Sequence, residues 1–241
     1  MIYYISSKQN QKIKDAQLLF KESERSAKQL FLIEGFHLLE MALKDNLVVS
    51  IFSLKEIKDI DENIPQYIVN EDILAKISSQ KNPQGVVAIV KMKKEKEITS
   101  KKVLYLDDVS DPGNMGTILR TALAFGYLDV IVSKNSVSIY NSKVIQASQG
   151  AIFKLNIVKK DSSILKDLRS NDYQIVSTEI KGSISLKEVK HIDKFVLVLG
   201  NEAHGVSEEV LNLSDLRVRI DINDIESLNV AIAGAIAMYV L

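Results

Sequence analysis

Short apolar runs alternate with amphipathic segments over most of the chain. From Lys102 onward, the runs VLYLDDV, LDVIVS, QIVSTEI and FVLVLG are too short for typical helices, and their composition is typical of buried strands. The intervening segments, such as MGTILRTALAFG and SSILKDLRSND, have the apolar spacing of helices. This alternation predicts an α/β fold with a doubly wound parallel sheet. Ligands of such sheets bind at the carboxyl ends of the strands.

The chain before residue 92 has a similar but shorter pattern. Its predicted strands are LFLIEG, LVVSIFS, QYIVN and VVAIVKM, and its predicted helices include GFHLLEMALKDN and EDILAKIS. The next segment, KMKKEKEITSKK, has almost no apolar residues, which is typical of a linker, although its lysines could also contact nucleic acid. We therefore predict two domains, residues 1–92 and residues 101–241.

A basic amphipathic segment lies near the N-terminus, between Lys8 and Lys28. Taken as one helix, it has an apolar side and a face of cations, which are Lys14, Lys21, Arg25 and Lys28. Such a face is either solvated or binds RNA phosphates, which supply affinity without sequence readout. The whole chain has 31 basic and 31 acidic residues, so its net charge does not by itself indicate a nucleic-acid binder.

The last segment of the chain is strongly apolar. Ser227 is a predicted N-cap, which leaves Leu228 to Leu241 as a helix that is apolar nearly all round. Such a helix should be buried on every side, and it is too short to span a bilayer, which takes about 20 apolar residues. We therefore predict a homodimer in which a partner subunit covers this helix.

Composition excludes several kinds of chemistry. The chain has no Cys, so it has no disulfide, thiolate metal site or cysteine nucleophile, which suits a cytoplasmic location. The N-terminus lacks the apolar core of a signal peptide. His37, His191 and His204 are far apart and lack metal-ligand spacing, so no metal is predicted. Neither a dinucleotide-binding G-x-G-x-x-G after a strand nor a Walker loop is present.

Three polar segments carry the most specific signal in the chain. They are DPGNMGTILRT at residues 111–121, LVLGNEAHGVS at 197–207 and ESLNVAIAGAIAMY at 226–239. In this order they resemble the three motifs of the SpoU RNA ribose methyltransferases, which belong to the SPOUT class. FLIEGFHLLEMAL and NPQGVVAIV resemble the substrate-binding domain that precedes many catalytic domains of this family, a ribosomal-protein type of RNA-binding fold. The resemblance therefore covers essentially the whole chain.

This resemblance implies an enzyme that transfers a methyl group from S-adenosylmethionine to a ribose 2′-hydroxyl of RNA. The resemblance of the N-terminal domain to those of rRNA-directed members favours ribosomal RNA over transfer RNA. The family also implies a deep trefoil knot in the catalytic domain and a homodimer whose catalytic domains complete each other's sites. Two other classes stay open, namely a non-catalytic RNA-binding protein of the same fold and a methyltransferase for a substrate other than RNA.

Motif matching carries the family's functional residues over to this chain. The implied catalytic residues are Asn114, Arg120, Glu202, Ser227 and Asn229. The positions implied to hold the cofactor through backbone groups are Gly200, Ile220 and Leu228, with Thr178 as a further candidate.

Arg120 has three possible roles. The family's arginine is often proposed as a general base, but a guanidinium has a pKa above about 12 and stays charged. We favour Arg120 as a cation that holds a phosphate or stabilises the developing oxyanion. Alternatively, Arg120 pairs with Glu202 and only joins two loops.

Two places depart from the family pattern. Asp221 follows Ile220 where many members have Pro, and this change should only soften the cofactor loop. Ser142 and Gln146 stand where Pro and Arg are common, which removes a cation that could contact RNA.

Overall fold

The computed structural model describes all 241 residues, which divide into two compact units. The first unit contains Met1–Lys94 and Tyr140–Phe153, and the second contains Glu95–Ile139 and Lys154–Leu241. The segment Tyr140–Phe153 therefore makes its contacts in the first unit, although it follows strands of the second unit in sequence. The boundaries at residues 92 and 101 stay a prediction.

Helices and strands alternate along most of the chain. The strands are β1 (Ile2–Tyr4), β2 (Leu30–Glu34), β3 (Val48–Ser53), β4 (Gln66–Ile68), β5 (Val86–Lys91), β6 (Lys102–Leu106), β7 (Asp129–Val132), β8 (Asn156–Lys159), β9 (Gln174–Thr178), β10 (Ile184–Ser185), β11 (Phe195–Leu199) and β12 (Leu216–Arg219). The helices are α1 (Gln11–Leu18), α2 (Glu22–Lys28), α3 (Phe36–Lys44), α4 (Glu71–Ile77), α5 (Pro112–Ala124), α6 (Ser142–Ser148), α7 (Ser163–Ser170), α8 (Glu208–Leu211) and α9 (Val230–Val240). Short 3₁₀ turns occupy Ala151–Phe153 and Leu186–Glu188. No helix is long and apolar enough to cross a membrane.

The first unit is built on a mixed sheet of five strands in the order β1-β4-β3-β5-β2. β4 runs parallel to β1 and β3, whereas β5 runs antiparallel to β3 and β2. Helices α1 and α4 bury their apolar faces against this sheet, and each begins at an Asn cap. Asn10 and Asn70 accept backbone N–H bonds from Lys12 at 2.8 Å and Ile73 at 2.9 Å. These caps satisfy donors that would otherwise stay unpaired at a helix start.

The prediction of one long basic helix near the N-terminus is wrong. The helix stops at Leu18 and a second begins at Glu22. Arg25 explains the break, because its buried guanidinium donates Nη1 hydrogen bonds to the carbonyls of Leu19 and Phe20 at 3.1 and 2.8 Å. Arg25 is only 7% exposed, so it does not share an exposed face with the other predicted cations, and its phosphate contact stays a prediction. The other predicted cations, Lys14, Lys21 and Lys28, are exposed.

The second unit is built on seven parallel strands in the order β10-β12-β9-β11-β6-β7-β8. β11 is buried throughout and β6 is buried from Val103 onward. Apolar residues of these strands pack with Leu165, Leu168 and Val210 from α7 and α8. The prediction of an α/β fold with a parallel sheet is confirmed. The apolar run IFKLNIV is extended only in its second half, because its first residues belong to the 3₁₀ turn Ala151–Phe153 and β8 begins at Asn156.

Two predicted helix starts are also wrong. α5 begins at Pro112, and its cap is Asp111, whose Oδ1 accepts the N–H of Asn114 at 2.7 Å. α9 begins at Val230, and its cap is Asn229 rather than Ser227. The α9 helix is not buried on every side within the chain, because Ile232 is 52% and Tyr239 is 75% exposed. Cover by a partner subunit stays a prediction.

A buried carboxylate fixes the segment that leads into the second unit. Asp129 is 3% exposed, and its Oδ2 accepts the backbone N–H groups of Thr99 and Ser100 at 3.0 and 2.8 Å. Its Oδ1 accepts Nδ2 of Asn156 at 2.6 Å. Burial alone would raise the pKa of Asp129, but the hydrogen bonds from Ser100, Asn156 and Thr99 outweigh it, so the pKa is lowered. The end of the predicted linker is therefore pinned to the second unit.

Replacing Asp129 with Asn should lower the free energy of unfolding by about 1–3 kcal/mol at neutral pH, because one oxygen becomes a donor facing other donors. The lowered pKa means that the carboxylate stabilises the fold above its unfolded pKa of about 4 and loses this contribution as pH falls through the folded pKa. The free energy of unfolding, measured with urea, should therefore differ less between Asp129→Asn and the wild type near pH 3 than at pH 7. The exposed Asp167→Asn is the control, and an equal difference at both pH values would contradict this account.

Candidate active site

The motif residues lie at the carboxyl edge of the second unit's sheet. The first motif lies after β6 and forms most of α5, and the second motif contains the end of β11 and the turn that follows it. β6 and β11 are paired in parallel, with Leu106 opposite Leu199, so the two loops leave the sheet side by side. The third motif leads into α9, which packs against α5.

The carboxylate of Glu202 connects the first two motifs. Its Oε2 accepts the backbone N–H and the hydroxyl of Ser110 at 3.2 and 3.0 Å. Its Oε1 accepts the N–H of Asp111 and Nδ2 of Asn114, both at 3.0 Å. Burial would raise the pKa of Glu202, but the bonds from Asn114, its own backbone N–H, Asp111 and Ser110 outweigh it and lower the pKa to about 2. Glu202 is therefore a fixed anion that holds the start of α5.

Asn114 extends this network to the third motif. Nδ2 of Asn229 donates to Oδ1 of Asn114 at 2.9 Å, while Oδ1 of Asn229 accepts the N–H groups of Ala231 and Ile232 at 2.9 and 3.3 Å. Asn229 therefore caps α9 and binds Asn114 with the same amide group. The predicted residues Asn114, Glu202 and Asn229 are thus brought together in one continuous chain of hydrogen bonds.

The second motif contains a tight turn after β11, and this turn requires glycine at position 200. Asn201 and Gly205 exchange backbone hydrogen bonds at 2.8 and 2.9 Å. A Cβ on Gly200 would lie 2.1 Å from the carbonyl carbon of Gly205 and 2.2 Å from the nitrogen of Val206. No side chain fits there, so the turn can fold back on the end of β11 only with glycine. Nδ2 of Asn201 also donates to the carbonyl of Asp108 at 2.8 Å.

The predicted cofactor positions follow neighbouring strands. Thr178 ends β9, Gly200 follows β11 and Ile220 follows β12, and β9 lies between β11 and β12 in the sheet. The hydroxyl of Thr178 donates to the carbonyl of Val198 at 3.0 Å. The backbone N–H and C=O groups of Gly200, Ile220 and Leu228 form no hydrogen bond within the chain. Gly200 is buried and Ile220 and Leu228 are half-buried, and main-chain groups without partners are available to a ligand, so this edge fits a cofactor held through the main chain.

Arg120 and Ser227 are exposed and are not part of the hydrogen-bond network. Arg120 lies on α5 and makes no ion pair or hydrogen bond. The carboxylate of Glu202 is occupied by the first motif instead. The alternative in which Arg120 only joins two loops by pairing with Glu202 is therefore wrong. Ser227 lies in the exposed segment before α9.

Two residues of the site were missed from sequence. Ser110 contributes both its backbone N–H and its hydroxyl to Glu202. Asp107 is 5% exposed, and its Oδ2 accepts the N–H of Ser207 at 2.8 Å, which ties the end of β6 to the segment after the second motif. Two adjacent acidic residues at the end of a buried strand were the available signal for Asp107. No group of His, Asp and Glu side chains could hold a metal ion.

This arrangement defines the class of protein. A parallel α/β sheet carries three polar motifs at its carboxyl edge, joined by Glu202 and Asn114, beside main-chain groups that lack partners. Together with the motif order, which resembles that of the SpoU RNA ribose methyltransferases, this ligand edge indicates an RNA methyltransferase that uses S-adenosylmethionine. Residues 101–239 match the SpoU rRNA Methylase family, and residues 10–88 match the MRM3-like substrate binding domain. The chain belongs to the SpoU rRNA methylase family.

Individual relatives agree with this assignment. The chain is 34% identical to the 23S rRNA (guanosine(2553)-2′-O)-methyltransferase RlmP of Bacillus subtilis strain 168, over 98% of this chain and 97% of the relative. It is 26% identical in sequence to the solved rRNA methyltransferase from Sinorhizobium meliloti, with a TM-score of 0.91 and coverage of 99% and 96% of the two chains. For the AdoMet-bound form of that enzyme the identity is 25%, the TM-score is 0.90 and the coverage is 99% and 97%. The predicted family, enzyme class and cofactor are confirmed.

Replacing Glu202 with Gln should loosen the first motif. Both carboxylate oxygens accept hydrogen bonds in the wild type, so the NH₂ of the glutamine amide faces a donor in either orientation. We expect amide hydrogen exchange at Ser110 and Asp111 to accelerate by about tenfold or more, the scale of an unsatisfied hydrogen-bonding group. Exchange measured by NMR or mass spectrometry tests this.

Glu208→Gln is the matched control, because Glu208 is exposed, lies in the same segment and makes no side-chain hydrogen bond. Unchanged exchange at Ser110 and Asp111 in Glu202→Gln would show that this carboxylate does not hold the first motif.

Proposed function

We propose that the protein transfers the methyl group of S-adenosylmethionine to a ribose 2′-hydroxyl in ribosomal RNA. The observation that carries this proposal is the hydrogen-bond chain from Glu202 through Asn114 to Asn229, which joins the three family motifs at one sheet edge. The name of the Bacillus subtilis relative, which specifies 2′-O-methylation of 23S rRNA, supports the substrate and the acceptor atom. Because ribosomal RNA is the proposed substrate, the proposed location is the cytoplasm.

The main chain is proposed to hold the cofactor. Gly200, Ile220 and Leu228 offer unpaired backbone groups, and Thr178 ends the strand between β11 and β12. When bound, S-adenosylmethionine supplies a methyl group on a sulfonium, which is already a good leaving group. The protein's task is then to orient the acceptor oxygen, and correct orientation of reacting atoms is worth several kcal/mol.

Arg120 is proposed to act as a fixed cation. Its guanidinium makes no ion pair in the chain, so it is free to bind an RNA phosphate or to stabilise charge that develops on the 2′-oxygen. It lies six residues after Asn114 on α5, a rise of about 9 Å. Asn114, Glu202 and Asn229 are positioning residues in this proposal, and Ser227 is proposed to contact cofactor or substrate from the segment before α9.

The first unit is proposed to bind RNA. Lys14, Lys21 and Lys28 are exposed there, and contacts of this kind supply affinity without sequence readout. Lys28 also pairs with Glu24 at 3.0 Å, a surface pair that is worth little and can exchange for a phosphate. We further propose, on family membership, that the catalytic domain is doubly wound and contains a trefoil knot, and that the N-terminal domain has a ribosomal-protein type of fold.

A homodimer is proposed to form through the catalytic domain. Tyr239 and Val240 on α9 are 75% and 50% exposed, and Phe125, whose ring contacts Tyr239 at a centroid distance of 5.7 Å, is 38% exposed. Exposed apolar residues that cluster in this way are typical of protein interfaces.

The activity itself is tested with purified protein, labelled S-adenosylmethionine and ribosomal RNA from cells that lack the protein. We expect one labelled ribose, detected by mass spectrometry of nuclease fragments, and no label in transfer RNA. Label on a base, or on transfer RNA alone, would contradict the proposal.

The role of Arg120 is tested by substitution. Arg120→Ala should lose about 10²–10³ in rate, the scale of removing one oxyanion donor, while S-adenosylmethionine binding measured by calorimetry stays unchanged. Arg120→Lys should keep part of the rate, because Lys supplies a positive charge without the planar fork. A pH–rate profile separates a fixed cation from a base, since a Lys base would match or exceed Arg120 at high pH. A wild-type rate for Arg120→Ala would remove the residue from the mechanism.

The dimer is tested by sedimentation at micromolar concentration. The wild-type protein should sediment as a dimer, and Tyr239→Asp should sediment as a monomer, because the substitution puts a charge into the proposed apolar interface. Ile180→Asp is the control, since Ile180 is 60% exposed in the same unit but lies outside α9. A monomeric wild type, or a dimeric Tyr239→Asp, would contradict the proposal.

A further inference from the structure

Polar side chains of β12 hold the connection between its two neighbouring strands. β12 lies between β9 and β10 in the sheet, and residues 179–183 connect those two strands. Nη1 of Arg217 donates to Oε2 of Glu179 at 3.2 Å, at the start of this connection. Nη1 of Arg219 donates to the carbonyl of Ser183 at its end. The connection is therefore attached at both ends to the strand that it passes.

Asp221 closes this set of contacts. Its Oδ1 pairs with Nε of Arg219 at 3.3 Å, and its Oδ2 accepts the hydroxyl of Ser185 on β10 at 2.5 Å. Arg219 therefore bonds the carbonyl of Ser183 and the carboxylate of Asp221 with different nitrogens of one guanidinium. We call Ser183, Ser185, Arg219 and Asp221 the β12 clasp.

The strength of the β12 clasp lies in its buried part. The side chains of Arg219 and Asp221 are partly exposed, and an ion pair of that kind contributes little by itself. Ser185 is buried, however, and a buried hydroxyl needs a hydrogen-bond partner. A charged acceptor makes a stronger hydrogen bond than a neutral one. Without the carboxylate of Asp221, the hydroxyl proton of Ser185 would lose its acceptor.

The β12 clasp lies beside two of the positions that are implied to hold the cofactor. Arg219 and Asp221 are the residues on either side of Ile220, and the connection that the clasp holds begins directly after Thr178. The backbone N–H and C=O groups of Ile220 have no partner in the chain. The clasp therefore restrains the main chain of Ile220 without using its hydrogen-bonding groups, which stay available to a ligand.

We propose that Arg219 and Asp221 are positioning residues for S-adenosylmethionine, which hold the main chain of Ile220 and the connection after Thr178 where the cofactor binds. The inference rests on the proposed function, because it concerns the same cofactor edge. A main chain that is ordered before the cofactor arrives costs less free energy to order on binding. Because the two side chains act through the main chain, their loss should change cofactor affinity and leave the chemical step intact.

The first test uses the full-length protein without cofactor. In Asp221→Ala, amide hydrogen exchange in residues 179–185 should accelerate by about threefold or more, because Arg219 and Ser185 lose the partner that they share. Mass spectrometry of peptides from this segment measures the rate. Glu188→Ala is the matched control, since Glu188 is exposed, follows β10 and makes no ion pair or side-chain hydrogen bond. Equal exchange in Asp221→Ala and the wild type would overturn the proposal.

Calorimetry then measures S-adenosylmethionine affinity at a temperature at which every variant is folded, so that a loss of stability alone does not change the result. Asp221→Ala should raise the Kd about tenfold, and Glu188→Ala should bind as wild type. Asp221→Asn should lose less than Asp221→Ala, because the amide oxygen can still accept the hydroxyl of Ser185. Wild-type affinity in Asp221→Ala would overturn the proposal even if its exchange is faster.

A double-mutant cycle tests whether Asp221 acts through Ser185. Ser185→Ala removes the hydroxyl that Asp221 accepts and should also weaken cofactor binding. If the two residues act through one hydrogen bond, the double variant should raise the Kd by less than the product of the two single factors, with a shortfall of about twofold or more. Single factors that multiply without a shortfall would overturn the clasp as a unit.

Methylation kinetics separate this inference from the proposed function. With ribosomal RNA at saturation, Asp221→Ala should raise KM for S-adenosylmethionine about tenfold and leave kcat nearly unchanged. If the wild type methylates ribosomal RNA and Asp221→Ala has the same KM, or loses kcat instead, this inference alone fails. If the wild type methylates no ribosomal RNA, the proposed function fails, and the calorimetry still decides whether Asp221 positions the cofactor edge.

Discussion

The carboxylate of Glu202 is the interaction on which the candidate site depends. It gathers the N–H and hydroxyl of Ser110, the N–H of Asp111 and the amide of Asn114, so it orders the loop after β6 and the first turn of α5 together. These donors keep the pKa of the carboxyl at about 2, so the anion persists at every physiological pH. An acceptor with a full charge is stronger than a neutral one, which explains why an acidic residue occupies the tip of this turn.

Backbone constraints put that carboxylate where it is needed. The turn after β11 folds back so closely that Gly200 tolerates no Cβ, and the parallel pairing of β6 with β11 sets the two loops next to each other. Asn229 then completes the arrangement, because one amide group caps α9 and binds Asn114. Helix position and site geometry are therefore coupled, since a shift of α9 would pull on the first motif.

Sequence reasoning predicted the alternation of strands and helices and the residues that meet at the sheet edge. Buried parallel strands have a strong apolar pattern, and the motif residues occur in a fixed order, so both are visible without coordinates. Helix ends were less predictable. Ser227 was predicted as a cap from residue type, but Asn229 accepts the free N–H groups of α9, and Asp111 caps α5 ahead of the predicted segment MGTILRTALAFG. Periodicity also placed Arg25 on an exposed helix face. It is buried instead, because the helix ends before it and its guanidinium donates to the carbonyls of Leu19 and Phe20, and no periodic pattern contains such an interruption of the helix.

The central claim is that Asn114 and Asn229 act as one unit that joins the motifs and shapes the cofactor edge. A double-mutant cycle tests it most directly, with S-adenosylmethionine affinity measured by calorimetry for the wild type, Asn114→Ala, Asn229→Ala and the double variant. The account predicts that the double variant loses less binding free energy than the sum of the single losses, with a coupling of about 0.5–3 kcal/mol, as expected for residues in one hydrogen-bond network. Strictly additive losses would contradict it.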